Sequence, residues 1–207
     1  MSAHRVTRAL NQALSVTVLG QGGASLGDLY VKVKNSAALE AMESAYEGGI
    51  GFYDTSPFYG VGLSEARFGV ALHGYPRKDF AVQTKVGRHL VPDTNCVNGT
   101  ACGWKGGYHM GLKFDYSAEG FQQQLHDSLQ RTGLGYIDSL VIHDLEPLPR
   151  IVPGKTNGVP EARQDLNVLK QGGFAELQRM RAEGQIKVIY IIYIFSFGIL
   201  SDMLCVG

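Results

Sequence analysis

Four side chains that can exchange protons or carry charge lie at or just after predicted strands of this 207-residue chain. Asp54, Lys85 and His143 each follow a short run of mostly apolar residues, and Tyr59 lies five residues after Asp54. Taken singly, each has an ordinary structural explanation as a turn residue, a solvated strand end, a packed ring or a hydrogen-bonded core histidine. Together they follow consecutive strands, and in a barrel the carboxyl ends of the strands build the active site. The pattern therefore favours one shared site.

Apolar periodicity and glycine stops predict the elements that would position these residues. The predicted strands are 14–19, 50–53, 80–84, 136–142 and a fifth that starts at Ile186. The predicted helices are 37–47, 64–72 with Ser64 as its N-cap, 118–132 and 174–183, and the segments 86–115 and 146–169 are predicted loops. Strict alternation of strand and helix predicts an α/β fold with parallel strands and right-handed crossovers.

Two architectures fit this alternation, a doubly wound sheet and the first half of a (β/α)8 barrel. A doubly wound nucleotide-binding fold would carry a Gly-x-Gly-x-x-Gly fingerprint after the first strand. Here Gly20-Gln21-Gly22 is followed by Ser25 at the third glycine position, and the phosphate-binding motif of P-loop proteins is also missing. The fingerprint test therefore disfavours the first architecture.

Several stretches of the sequence carry recognisable motifs: 49–60, which holds Asp-Thr-x-x-x-Tyr-Gly, then Thr84-Lys85, 128–134, 137–143 and 177–187. Together they resemble the aldo-keto reductase superfamily, and within it most the aldose dehydrogenase branch of D-threo-aldose (L-fucose), D-arabinose and L-galactose dehydrogenases. The resemblance runs from about Arg8 to about Ile189 and implies a partial (β/α)8 TIM barrel of about five parallel strands.

The resemblance implies that Tyr59 is the proton-transfer group, that Lys85 and Asp54 tune it, and that His143 orients the substrate oxygen. A free tyrosine titrates near pH 10 and is a poor catalyst at neutral pH. An ammonium about 4 Å away stabilises phenolate by roughly 4 kcal/mol at an effective dielectric constant of ~20. The carboxylate would keep the buried ammonium charged, because burying an unpaired charge is costly.

The resemblance further implies a nicotinamide cofactor, NAD or NADP, and a small sugar or carbonyl substrate. The aldose C1 hydroxyl would be oxidised to a lactone, or a small aldehyde or ketone would be reduced. Gly22 and Gly23 are candidates to lie under the nicotinamide, because a glycine turn permits close approach; the alternative is an ordinary strand-to-helix turn. Trp104 either lines the sugar pocket or packs its own loop.

We expect residues 1–189 to be the N-terminal part of the barrel and 190–207 to be a hydrophobic tail outside the family pattern. The uncharged run 188–201 is shorter than the ~20 residues of a membrane helix, which favours a buried strand over a membrane span. A chain ending at Gly207 would lack the C-terminal half of a barrel, with self-association through open sheet edges as one consequence. A catalytically inactive relative that serves as an interaction module is the alternative function.

Composition excludes some partners. Lys and Arg number 19 against 19 Asp and Glu, which gives no electrostatic reason to bind nucleic acid or anionic membrane.

Three cysteines suggest a reducing compartment, so we expect a cytoplasmic protein. The acid-free N-terminus allows a mitochondrial presequence or a β-hairpin, of which the hairpin is favoured. The spacing of the group His89, Cys96, Cys102 and His109 fits no standard zinc pattern, so no metal site is expected.

Overall fold

A computed structural model of the chain describes residues 5–96, 103–145 and 159–191. The strands are β1 (Thr7–Ala9), β2 (Ser15–Thr17), β3 (Gln21–Gly22), β4 (Phe52–Asp54), β5 (Ala81–Val86), β6 (Arg88–Val91), β7 (Gly111–Phe114), β8 (Ser139–Ile142) and β9 (Val188–Ile191). The helices are α1 (Asn35–Glu47), α2 (Leu63–Leu72), α3 (Ala118–Thr132), α4 (Val159–Val168) and α5 (Phe174–Ala182). A π-helical turn, Leu169–Gly173, joins α4 to α5, and short 3-10 turns cover Ser25–Gly27 and Arg77–Asp79.

A parallel sheet of five strands, in the order β3-β4-β5-β8-β9, is the centre of the fold. Helices α1, α2, α3 and α5 lie between successive strands and bury apolar side chains against it. The core includes Met42, Phe68, Phe121, Leu177 and Met180. This arrangement confirms the predicted α/β fold class with five parallel strands. None of the helices in the described ranges is long and apolar enough to cross a membrane.

The N-terminal hairpin is confirmed, and it changes the assignment of the first strand. Strands β1 and β2 pair antiparallel, with Thr7 opposite Thr17. The prediction of 14–19 as the first parallel strand is therefore wrong, since that role falls to the two-residue strand β3 inside the glycine-rich segment. Leu14 and Val16 pack against Ala81 and Val188, at the starts of β5 and β9. The hairpin thus covers the end of the sheet opposite to the carboxyl ends of the strands.

Helix α3 has the predicted bounds because both of its ends are encoded locally. The Ser117 hydroxyl accepts a hydrogen bond from the backbone N–H of Gly120, and Gly133 ends the helix with a φ of 63°. Helix α2 begins differently from the prediction. Its N-cap is Gly62, whereas the Ser64 hydroxyl donates to the Gly23 carbonyl at 2.9 Å.

Both predicted long loops contain regular structure. The segment 86–115 holds the antiparallel hairpin β6–β7, in which Arg88 lies opposite Phe114. The segment 146–169 contains α4 and the first residue of the π-helical turn in its described part. The Gly172-Gly173 pair lies within the helical segment, and the bare backbone of Gly173 packs where a Cβ would overlap the Tyr116 carbonyl.

Part of the predicted tail belongs to the sheet. Tyr190 and Ile191 are the last residues of β9 and pair with Val141 and Ile142. The rest of the tail, 192–207, lies outside the described residues, as do Cys102, Cys205 and the loop residues 146–158.

Candidate active site

The predicted site residues lie at the carboxyl ends of three neighbouring strands. Asp54 is the last residue of β4, Lys85 is the penultimate residue of β5, and His143 follows β8 directly. The backbone ladder continues past the strand ends, because the N–H of His143 donates to the Val86 carbonyl at 2.9 Å. Parallel register brings these ends to one edge of the sheet, as the sequence predicted.

Lys85 carries a buried ammonium with every donor satisfied. Its Nζ donates to both carboxylate oxygens of Asp54, at 2.7 and 2.8 Å, and to the Thr55 carbonyl at 3.0 Å. The Lys85 side chain is 2% exposed, whereas that of Asp54 is 28% exposed. Gln83 donates a further hydrogen bond to Asp54 Oδ1, and Ser139 in turn donates to Gln83. One side of the Asp54 carboxylate is therefore held by hydrogen bonds from the protein, and the other side is open to solvent.

Tyr59 lies on the loop between β4 and α2, with its ring beside the ammonium. Nζ of Lys85 is 4.8 Å from the centre of the Tyr59 ring. The loop is fixed by close backbone packing against Gly27, where a Cβ would lie 2.5 Å from the carbonyl carbon of Tyr59. Gly60 has a φ of 63°, which glycine adopts without strain. No local motif marks Gly27 in the sequence, so its role was not predicted.

His143 faces the same loop. Its ring centre is 6.0 Å from that of Tyr59, with the two planes nearly perpendicular. Nδ1 lies 3.1 Å from the hydroxyl oxygen of Ser56, and Nε2 lies 3.5 Å from Oδ2 of Asp144. Burial, and then the nearby charges of Arg88 and Lys85, lower the pKa of His143 well below its usual value of 6.5. The imidazole is therefore neutral at physiological pH.

The hairpin β6–β7, with the loop between its strands, brings further residues to the site, of which Arg88 was not predicted. The Arg88 guanidinium donates to Asp144 at 2.6 Å and lies 4.4 Å from the centre of the Phe58 ring. Trp104 is buried, with its ring 5.8 Å from Tyr59 and 5.3 Å from Phe58. Its indole N–H has no hydrogen-bond partner among the residues that the structure describes. Both sequence interpretations of Trp104 are compatible with a ring that packs its loop against Tyr59.

The two glycines proposed to lie under a nicotinamide have different surroundings. A Cβ added at Gly22 would meet no atom of the described residues within 4 Å, so among them the backbone there borders open space. A Cβ at Gly23 would lie 2.6 Å from the Ser64 hydroxyl and 2.9 Å from the Asp54 carbonyl. Packing alone accounts for Gly23, whereas Gly22 is exposed and pairs in register with Asp54.

Two residues of the group that fits no zinc pattern, His89 and Cys96, have hydrogen-bond partners outside that group. His89 pairs with Asp127 at 2.9 Å, and the Cys96 thiol donates to the Met110 carbonyl. Within the described ranges, no group of three or more His, Cys, Asp or Glu residues is arranged to hold a metal ion.

The sequence of this chain is similar to a known protein family and to several characterised proteins. The model of the Aldo/keto reductase family matches residues 18–191. The chain is 33% identical over 182 residues to D-threo-aldose 1-dehydrogenase of Pseudomonas sp., covering 86% of this chain and 50% of that protein. It is 34% identical to pyridoxal 4-dehydrogenase of Microbacterium luteolum (87% and 53% covered) and 37% identical to L-galactose dehydrogenase of Arabidopsis thaliana (67% and 38% covered).

Solved structures of other proteins share the fold of this chain. The structure of an aldo-keto reductase from Bacillus halodurans in its holo form aligns with a TM-score of 0.64 at 25% identity, covering 91% of this chain and 50% of that one. The glycerol dehydrogenase of Gluconobacter oxydans aligns with a TM-score of 0.58 at 22% identity, over 89% and 47% of the two chains. The chain thus spans about half the length of these relatives, and the five-stranded sheet corresponds to part of their barrels.

Proposed function

The chain belongs to the aldo/keto reductase family, and we propose that it transfers a hydride between a nicotinamide cofactor, NAD or NADP, and a small hydroxyl or carbonyl compound. The observation that carries this proposal is the convergence of Asp54, Lys85, Tyr59 and His143 at one edge of the sheet. An aldose is the favoured substrate, since three relatives are named for dehydrogenation at aldose sugars. A small aldehyde or ketone is the other substrate class.

Tyr59 is the group that would move the proton. When a hydroxyl is oxidised, the phenolic oxygen takes its proton, and when a carbonyl is reduced, the phenol returns one. The ammonium of Lys85, 4.8 Å from the ring centre, places a positive charge beside Tyr59. Because Asp54 and Thr55 hold all three ammonium donors, the positive charge keeps a fixed position during the reaction.

His143 would orient the substrate oxygen. A neutral imidazole can donate one N–H to an oxygen that gains or loses negative charge, without itself giving up a full proton. Burial keeps the ring neutral, and its perpendicular placement 6.0 Å from Tyr59 leaves room for one oxygen to reach both side chains. Tyr59 and His143 would therefore contact the same substrate atom from two directions.

The cofactor would bind where the sheet edge lacks side chains. Gly22 would hold the nicotinamide end, since its exposed backbone has no neighbour in the position of a Cβ and pairs with Asp54. When bound, the nicotinamide supplies the acceptor or donor of the hydride. Gly23 contributes by keeping the turn against α2, through the hydrogen bond from Ser64.

The only tryptophan of the chain provides a direct test of cofactor binding. Trp104 is buried beside Tyr59, so a nicotinamide at this edge should quench its fluorescence. We expect saturable quenching by NADH or NADPH at micromolar to submillimolar concentration, the usual range for enzyme ligands. Free N-acetyltryptophanamide titrated with the same cofactor is the control for inner-filter absorption, because the reduced nicotinamide absorbs where tryptophan emits. No quenching by either cofactor at millimolar concentration would contradict the proposal and favour a non-catalytic relative.

A further inference from the structure

Ser56 makes a buried contact with His143 that the proposed roles of the four site residues leave unexplained. It lies two residues after Asp54, and it is fully buried. Its hydroxyl oxygen accepts a hydrogen bond from the backbone N–H of Phe58 at 3.1 Å. The same oxygen lies 3.1 Å from Nδ1 of His143, which follows β8 and is 87 residues further along the chain.

The single hydroxyl proton of Ser56 decides the direction of this contact. A serine hydroxyl has one proton to donate, and a buried donor without an acceptor is costly. Because the N–H of Phe58 points toward the oxygen, it cannot receive that proton. Among the described residues, the acceptor within reach is Nδ1 of His143. The hydrogen bond therefore runs from Ser56 to Nδ1, which must then carry a lone pair.

Asp144 selects the same arrangement from the other side of the ring. Its Oδ2 lies 3.5 Å from Nε2 of His143 and accepts a hydrogen bond from Arg88 at 2.6 Å. A lone pair on Nε2 would face this carboxylate unfavourably, whereas an N–H would be attracted to it. Tyr116 fixes the backbone here by donating to the His143 carbonyl at 2.9 Å.

We propose that Ser56 is a positioning residue that holds His143 in the tautomer with its proton on Nε2. That N–H then lies on the side of the ring away from Ser56. Asp144 Oδ2, at 3.5 Å from Nε2, is too distant to engage it in a strong hydrogen bond, so the N–H is available to the substrate oxygen. The proposal rests on the orienting role proposed for His143, but the tautomer itself is a property of the protein without substrate. The two can therefore be tested separately.

The direct test is long-range 1H–15N correlation NMR of the histidine side chains in the full chain at neutral pH. Signals of His143 are assigned by their loss in His143→Gln. We expect an unprotonated Nδ1 and a protonated Nε2 in the wild type, retention of this pattern in Ser56→Thr, and a mixture of both tautomers in Ser56→Ala. A wild-type Nδ1–H signal, or an unchanged pattern in Ser56→Ala, would overturn the proposal.

Kinetics provide the second readout. Ser56→Ala should lower kcat by roughly five- to tenfold, the size expected for one neutral hydrogen bond, with little change in KM for the cofactor, and Ser56→Thr should restore most of the loss. Equal kcat in the wild type and in Ser56→Ala would count against Ser56. If His143→Gln abolishes turnover while the NMR pattern of His143 is the same in Ser56→Ala as in the wild type, the positioning role fails and the proposed function stands. If the tautomer follows Ser56 but no turnover is found, the proposed function fails and the positioning role stands.

Discussion

The ammonium of Lys85 contacts both carboxylate oxygens of Asp54, at 2.7 and 2.8 Å, across two adjacent strands of the sheet. The pair is unequal in its access to solvent, since Lys85 is 2% exposed and Asp54 is 28% exposed. The buried ammonium of Lys85, which lies beside Tyr59, therefore relies on Asp54 as its countercharge in the folded protein. This asymmetry makes the two halves of the pair distinguishable by mutation.

Asp54→Asn should destabilise the protein more than Lys85→Met. The first change leaves a buried ammonium without a countercharge, and we expect a loss of about 2–4 kcal/mol, at or below the cost of breaking a fully buried pair because Asp54 is partly exposed. The second leaves a carboxylate that still reaches water and Gln83, so the loss should be about 1 kcal/mol. Urea denaturation measures both. Equal losses of unfolding free energy in the two variants would contradict the argument that the difference in burial makes Asp54→Asn the more damaging change.

His143 should make the folded protein less stable as the pH falls below about 6.5, the usual pKa of histidine. Burial lowers its folded pKa, so in that range the unfolded chain binds a proton that the folded protein does not. Stability is thus lost at up to about 1.4 kcal/mol per pH unit until the pH passes the folded pKa. Denaturation curves at several pH values should be flatter for His143→Gln than for the wild type. The exposed His73 offers the control, since His73→Gln should leave the wild-type slope unchanged.

The sequence allowed the convergence of Asp54, Lys85 and His143 to be predicted because each lies at the end of a mostly apolar strand, and parallel register brings these ends to one edge of the sheet. The roles assigned to them stay predictions. The limits of the prediction have physical causes. The first parallel strand has two residues in a glycine-rich turn, too short for a periodic pattern, while 14–19 alternates well but pairs with Thr7–Ala9. The four-residue strands β6 and β7 lie within a glycine-rich segment, and that composition predicts a loop.

Tertiary partners account for the other differences. The N-cap pattern at Ser64 is misleading because its hydroxyl bonds to the Gly23 carbonyl from another loop. The contacts of Ser56 and Arg88 with the residues at the end of β8 join positions far apart in the chain. A local pattern carries no information about such pairs, and only the folded arrangement reveals them.

Alanine at Gly22 and at Gly23 should separate cofactor binding from packing. Gly22→Ala places its methyl group in open space, so the melting temperature should be nearly unchanged while cofactor affinity falls about tenfold or more, equivalent to at least about 1.4 kcal/mol. Gly23→Ala would push against Ser64, Phe68 and the Asp54 carbonyl, at a cost of about 1–3 kcal/mol. Thermal melts and Trp104 quenching measure the two effects. Unaltered affinity in Gly22→Ala would remove this glycine from the proposed cofactor site.

Glu65→Gln should be strongly destabilising. The Glu65 side chain is fully buried on α2, accepts a hydrogen bond from the Thr84 hydroxyl at 2.7 Å, and pairs with Arg131 at 2.5 Å. The change leaves the partly exposed Arg131 without its countercharge, and we expect a loss of about 2–4 kcal/mol in the free energy of unfolding. Glu183→Gln is the matched control, because its pair with Arg179 is exposed and should contribute nothing measurable. Similar losses in both variants would refute the argument from burial.

Turnover of Tyr59→Phe tests the central claim most directly. The change removes the phenolic oxygen and keeps the ring that packs against Trp104 and His143. With an aldose and NAD or NADP, we expect the wild type to form reduced cofactor. In Tyr59→Phe the rate should fall by at least about 100-fold, the lower range for a general acid–base group. Cofactor affinity, measured by Trp104 quenching, should stay within about twofold if a few contacts to the ring edge are all that change. A variant that binds cofactor and turns over at the wild-type rate would contradict the assignment of Tyr59 as the proton-transfer group.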